Sequence, residues 1–228
     1  MKIGGFQEFS LIDYPGKMAA VVFTQGCNFR CPYCHNSELS LPELYGPLIS
    51  EEKVLSFLKK RVNRLESVVI TGGEATLQKE LIPFIQRVKL LGYSVKLDTN
   101  GSQPDVIADL IKYRIVDYIA MDVKASMKNY HTLAGRTVDF EQIKASVRLI
   151  ANSEIKHEFR TTIVKPLHTD IKKELQEIYS LIKNGQRFRL QKFVANEKVM
   201  DQSLCRQKQF TDNELQNLKE KWGFNYNE

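Results

Sequence analysis

Six short runs of apolar, largely β-branched residues recur along the chain, with stretches of helical periodicity between and after them. The runs are Ala19–Thr24, Val68–Thr71, Ser94–Asp98, Asp117–Val123, Glu158–Val164 and Arg187–Phe193. Short apolar runs bounded in this way predict buried strands. Between them, apolar residues return at helical steps: Val54, Leu55, Leu58, Val62 and Leu65, then Leu81, Phe84, Ile85 and Val88. The same spacing recurs in Phe140, Ile143, Val147 and Ile150, and in Ile171, Leu175, Ile178 and Ile182. Each set falls on one helical face. Ser50 with Glu51 and Glu52 reads as a capped helix start, and Pro104 opens a helix that runs to Lys112. Gly92 and Gly185 read as helix stops, and Thr211–Lys221 as a last helix.

Strands alternating with helices imply right-handed crossovers and therefore a parallel sheet. Six such units make an α/β fold that either curls into an open partial barrel or lies as a doubly wound sheet. In both, functional side chains gather where the strands end. The chemically suggestive residues fall there. The cysteines follow the first strand, Gly72-Gly73-Glu74 the second, Asp98-Thr99-Asn100-Gly101 the third, and Asp122 and Lys124 the fourth.

Composition narrows the class. Apolar residues make up 43% of the chain, enough for a packed core and against general disorder. The apolar runs are far too short to cross a bilayer, and the opening MKIGGFQEF lacks the apolar stretch of a secretion signal. A cytoplasmic protein with no membrane contact is the expectation. The net charge of +6 is scattered over helical stretches such as Lys59, Lys60, Arg61 and Arg64. Without a nucleic-acid-binding motif, this reads as solvated helix surface, and no nucleic acid is expected as partner.

Three of the four cysteines lie together in Gly26-Cys27-Asn28-Phe29-Arg30-Cys31-Pro32-Tyr33-Cys34-His35-Asn36, while Cys205 is far away. A disulfide scaffold spreads its cysteines along the chain instead. Three thiolates spaced C-x3-C-x2-C can each take one iron of a cubane, which leaves the fourth iron without a protein ligand. An open metal corner is what ligand chemistry needs. A zinc site of the three cysteines with His35 or Cys205 is the alternative, although structural zinc normally takes two ligand pairs and a second pair is missing. Cys205 as a fourth cluster ligand also stays open.

This spacing, with Tyr33 just before the third cysteine, resembles the signature of the radical S-adenosylmethionine (SAM) superfamily. The wider stretch, from Asp13-Tyr14-Pro15-Gly16 to Asn36, resembles the activating enzymes of glycyl radical enzymes. It is most similar to the longer branch of anaerobic ribonucleoside-triphosphate reductase activating proteins. The resemblance runs from about Gly5 to Val194. It implies an open partial (β/α)6 barrel of parallel strands in a single domain over 1–228. An N-terminal extension with a partner-contact turn would cover 1–18, the barrel core 19–195, and a tail with a helix 196–228.

The resemblance also implies a site. Cys27, Cys31 and Cys34 would hold a 4Fe–4S cluster, and Tyr33 and His35 would line the adenine pocket of SAM. The family's Gly-Gly-Glu-Pro segment contacts the SAM amino group; here it reads Gly72, Gly73, Glu74 and Ala75, without the proline. Asp98-Thr99-Asn100 and Asp122-Val123-Lys124 resemble Asp-Thr-Asn and Asp-Leu-Lys segments of the pyruvate formate-lyase activase. Asp98 is thus implied near the SAM ammonium and Lys124 near its carboxylate, through charge-assisted hydrogen bonds, and Asn100 as a further SAM-binding residue. Asp98, Met121 and Asp122 are implied as ligands of a monovalent cation, and Asp13 and Arg160 as partner contacts. The relatives' histidine near the sixth strand is missing; Gln191-Lys192-Phe193-Val194 stand there.

The implied activity is reductive cleavage of SAM to methionine and a 5′-deoxyadenosyl radical. The radical then removes a hydrogen from a glycine Cα of the partner. That partner would be a glycyl radical enzyme, anaerobic ribonucleotide reductase first. Cys205 alone cannot build a second ferredoxin-type cluster, so flavodoxin or ferredoxin is expected as the electron donor. Two rivals remain at this stage: a radical SAM enzyme acting on a small molecule, of the deazapurine-forming kind, and a non-catalytic metal-binding module.

Overall fold

In the computed structural model, which describes residues 1–222, seven strands form one open sheet in sequence order. They are β1 (Ile3–Ser10), β2 (Ala19–Thr24), β3 (Ser67–Gly72), β4 (Ser94–Thr99), β5 (Tyr118–Asp122), β6 (Lys156–Ile163) and β7 (Phe188–Lys192). From β2 to β7 every pairing is parallel, and these are the six strands that the sequence periodicity predicts. The helices are α1 (Ser37–Ser40), α2 (Glu51–Arg61), α3 (Leu81–Leu90), α4 (Pro104–Lys112), α5 (Tyr130–Ala134), α6 (Phe140–Ala151), α7 (Ile171–Ile182) and α8 (Asp212–Trp222). Among the described residues, no helix is long and apolar enough to cross a bilayer.

Two differences from the sequence pattern have local causes. β1, inside the expected N-terminal extension, pairs antiparallel with β2 at the edge of the sheet. Its sequence, IGGFQEFS, carries two glycines and one β-branched residue, so only pairing with β2 makes it a strand. The expected helical face through Val62 and Leu65 stops early, because α2 ends at Arg61 and Asn63 adopts a left-handed φ of 65°. Leu65 is still buried, whereas Val62 is 40% exposed. The expected tail over 196–228 extends past the described residues.

Successive strand residues face opposite sides of the sheet. The outward set, including Val22, Ile70, Leu97 and Ile119, packs against Leu58, Phe84, Ile107 and Ile143 of the helices in the main core. The inward set changes character along the strands. At the bottom, Ala19, Val21, Val69, Tyr118 and Ala120 form a small apolar cluster closed by Tyr14. Nearer the C-terminal ends the inward residues become Thr71, Asp98, Asp122 and Arg160. The concave face is thus mostly apolar below, where Lys96 and Glu158 are the buried charged residues beside Tyr118 and Ala120, and charged above.

Because Ser10 pairs with Ala19, the Asp13–Gly16 turn lies at the N-terminal end of β2, opposite the cysteine loop. A strand of this length separates the two ends by roughly 20 Å. Tyr14 folds under the sheet with its ring 5.8 Å from that of Tyr118. Asp13 accepts a short hydrogen bond from the Ser10 hydroxyl.

Candidate active site

The C-terminal strand ends enclose a cavity of about 280 Å³. Around it the fold brings together Cys27, Cys31, Cys34, Tyr33, His35, Gly72, Gly73, Glu74, Asp98, Asn100, Asp122, Lys124 and Arg160. Of the expected site residues only Met121 and Asp13 lie off its wall.

The cysteine loop is held by backbone bonds on both flanks. Gly26 N–H donates to Leu39 O and Arg30 N–H to Ala134 O, each at 2.8 Å, and Cys34 N–H closes a turn onto Cys31 O at 2.9 Å. The Arg30 guanidinium donates to the carbonyls of Cys27 and Phe29 at 2.7 Å. Gly73 locks the loop to the next strand end: its N–H donates to Thr24 O, and Glu74 N–H donates to Gly26 O, both at 2.8 Å. A Cβ on Gly73 would sit 2.2 Å from Gly26 O, so only glycine permits this approach.

Burial pushes the Cys27 thiol up to about 11 and the Cys31 thiol up to about 12, while the Lys124 ammonium pulls both back. Thiols of this kind release their protons when a metal takes it over as ligand. Three of them line one wall of the cavity, and Cys205 does not; its Sγ donates to Asn196 O at 3.5 Å instead. Structural zinc takes four ligands, usually as two pairs, whereas a cubane takes one thiolate on each of three irons. The donor set therefore fits an iron–sulfur cluster better than zinc.

Behind the thiols, Glu74 is buried and braces two strand ends. Its Oε1 accepts from Thr76 N, Thr76 Oγ1 and Thr99 Oγ1 at 3.1, 2.5 and 2.8 Å, and its Oε2 from Asn100 N at 2.7 Å. Burial raises its pKa against these four donors. The Asn100 amide donates to Asn28 Oδ1 at 2.9 Å, which ties this brace to the cysteine loop.

The inner wall carries an alternating row of charge. Lys96 Nζ donates to Asp98 Oδ1 at 2.5 Å, and Arg160 Nη1 approaches Asp98 Oδ2 at 3.3 Å. Arg160 Nε donates to Asp122 Oδ1 at 2.8 Å, and Lys124 Nζ donates to Asp122 Oδ2 at 2.9 Å. Burial works against the charge on Asp122, but Arg160 and Lys124 outweigh it and hold the carboxyl well below the usual carboxylate range. Burial likewise opposes the Lys124 ammonium, and Asp122 outweighs it in turn.

Several expected site residues also pair within the chain. The carboxylates of Asp98 and Asp122 stand at the ends of neighbouring strands. Arg160 bridges them, and Met121 lies on the helix-facing side of the sheet against Gly101, because odd and even residues of β5 face opposite ways. His35 Nε2 is 2.6 Å from Val194 O, with its ring 5.7 Å from that of Phe193, so it pins the cysteine loop to the end of β7. Gln191 lines the cavity where a histidine was missing. The Tyr33 hydroxyl is buried with no hydrogen-bond partner among the described residues.

Sequence reasoning passed over Lys96, Thr71 and Asn28. Lys96 is 3% exposed at its side chain. Its signal was available: a lysine inside an apolar strand, two residues before Asp98 and hence on the same face.

The model of the radical SAM superfamily matches residues 21–182. MJ1227 of Methanocaldococcus jannaschii, a candidate glycyl-radical enzyme activating enzyme, is 34% identical over 222 residues, covering 95% of this chain and 89% of its own. The pyruvate formate-lyase-activating enzyme of Clostridium pasteurianum is 28% identical over 194 residues, covering 80% and 76%. Among solved structures, Streptococcus suis SuiB bound to precursor peptide SuiA aligns with a TM-score of 0.70 at 15% identity, over 88% of this chain and 44% of SuiB. That last likeness is one of fold alone.

Proposed function

The chain belongs to the radical SAM superfamily and is a radical SAM enzyme, and from that premise we propose that it activates a glycyl radical enzyme, anaerobic ribonucleoside-triphosphate reductase. The observation that carries the activase reading is the likeness to MJ1227 along nearly the whole of both chains. The choice of partner rests on the resemblance of the segment from Asp13 to Asn36.

Cys27, Cys31 and Cys34 would hold a 4Fe–4S cluster. With SAM bound and an electron from flavodoxin or ferredoxin, this group supplies a 5′-deoxyadenosyl radical. The chain's own residues do the rest. Lys124 favours the thiolate forms of Cys27 and Cys31. Lys124 and Asp98 bind the carboxylate and ammonium of SAM, with Gly72 and Gly73 offering bare backbone and Tyr33 and His35 the adenine side. Both charged groups already sit in pairs, with Asp122 and with Lys96 and Arg160, so the ligand exchanges partners instead of stranding a buried charge. Arg160 keeps the two carboxylates apart and oriented, as a planar fork can and a lysine cannot. The apolar cluster below excludes water from the volume a radical must cross. The Asp13 turn, at the far end of β2, meets a partner from the side opposite the thiols.

The test is electron paramagnetic resonance on a mixture of the reduced, iron-loaded protein, SAM and an anaerobic ribonucleotide reductase. A glycine-centred doublet in the partner supports the reading. SAM cleavage without any such signal overturns it.

A further inference from the structure

The segment after β7 does not leave the molecule but folds back along the cysteine loop. Met200 N–H donates to Cys34 O at 3.0 Å, and Asp201 N–H donates to Pro32 O at 2.8 Å. On its outer side, the Ser37 hydroxyl donates to Lys198 O at 3.1 Å. The segment is itself shaped by Gln202, whose amide donates to the carbonyls of Asn196, Glu197 and Val199 at 3.1, 3.1 and 2.7 Å. It is anchored from below by Val199 and Leu204, which are 3% and 2% exposed and belong to the same core as Phe29, Cys31 and Tyr33.

We propose that residues 196–206 are a clasp that positions the cysteine loop, with Met200 and Asp201 as its contacts and Gln202 as its latch. Two cysteine-loop carbonyls, those of Pro32 and Cys34, take their backbone donors from this segment among the described residues. Without the clasp those carbonyls turn to water, and the span between Cys31 and Cys34 keeps only its own turn bond and its core packing. The clasp is thus a positioning device for thiols that must meet three metal atoms at once. This deepens the cluster reading and rests on it only for its second measurement.

Three variants test it: Met200→Pro, which deletes one donor; Gln202→Ala, which opens the latch; and Met200→Leu, which keeps the N–H. The first measurement is amide hydrogen exchange of the metal-free protein. In Met200→Pro and Gln202→Ala the amides of residues 28–35 exchange roughly tenfold faster, those of β3 and β4 do not change, and Met200→Leu behaves as the parent. The second is the rate at which a chelator removes iron from the reconstituted protein, expected to rise several-fold in the same two variants. The proposal is overturned if residues 196–206 loosen while exchange at 28–35 stays at the parent rate. Should the parent take up no cluster, the cluster reading fails and the exchange measurement still decides the clasp. Should Met200→Pro disrupt the whole fold, Gln202→Ala decides it alone.

Discussion

Arg160 and Asp122 stand directly opposite each other in the parallel β5–β6 pairing, and the guanidinium reaches across at 2.8 Å while its other arm approaches Asp98. One buried cation therefore holds two carboxylates that belong to neighbouring strands. The pair sits at the level where the concave face changes from apolar to charged.

Replacing Arg160 with Met should expose the cost of that arrangement. Asp98 keeps Lys96 and Asp122 keeps Lys124, but both carboxylates lose their shared donor inside the barrel. Loss of about 3 kcal/mol in urea unfolding is expected, with Arg160→Lys recovering only part of it. A midpoint unchanged from the parent would contradict the assignment.

Glu74 offers a cleaner chemical test. All four of its hydrogen bonds come from donors, so Glu74→Gln turns an amide NH2 toward an N–H or hydroxyl that already donates. The substitution removes a buried charge and should nevertheless destabilise the protein by about 2 kcal/mol. Equal or greater stability would mean that desolvation outweighs the donor set.

Gly73→Ala should damage the site through the backbone. Its Cβ meets Gly26 O at 2.2 Å, so the strand end and the start of the cysteine loop must separate. The variant should lose about 2 kcal/mol of stability and bind less iron per chain on reconstitution. Parental melting and iron content together would show that the two loops are not locked.

Acid sensitivity follows from two buried histidines. Burial lowers the pKa of both His157 and His168 below the ordinary 6.5, so the unfolded chain takes up protons that the folded one refuses. Their neutral forms support the fold above that value, and stability falls as pH drops through 6.5. Asp122 acts in the same direction only at far lower pH, because its unfolded carboxyl titrates near 3.8. Urea midpoints at pH 7.5 and 5.5 should differ in the parent and converge in a His157→Gln, His168→Gln double variant. A parent equally stable at both values would contradict this.

The parallel core was legible because short apolar, β-branched runs and helical faces alternate from Ala19 to Lys192. The cavity wall was legible for the same reason, since the suggestive residues follow strand ends. β1 was not, because an edge strand with two glycines depends on its partner for its conformation. Nor was the role of Arg160 between two carboxylates, which follows from register between strands nearly forty residues apart in sequence. The segment over 196–206 escaped because it works through backbone N–H groups, which every non-proline residue carries and no side-chain pattern announces.

The central claim concerns what Cys27, Cys31 and Cys34 hold and what that group does to SAM. Its most direct measurement is 5′-deoxyadenosine released by the anaerobically reconstituted, chemically reduced protein, run beside a Cys31→Ala variant. Release from the parent and none from the variant is the expected result. Undiminished release from Cys31→Ala, or none from a parent that carries its full iron, would contradict it.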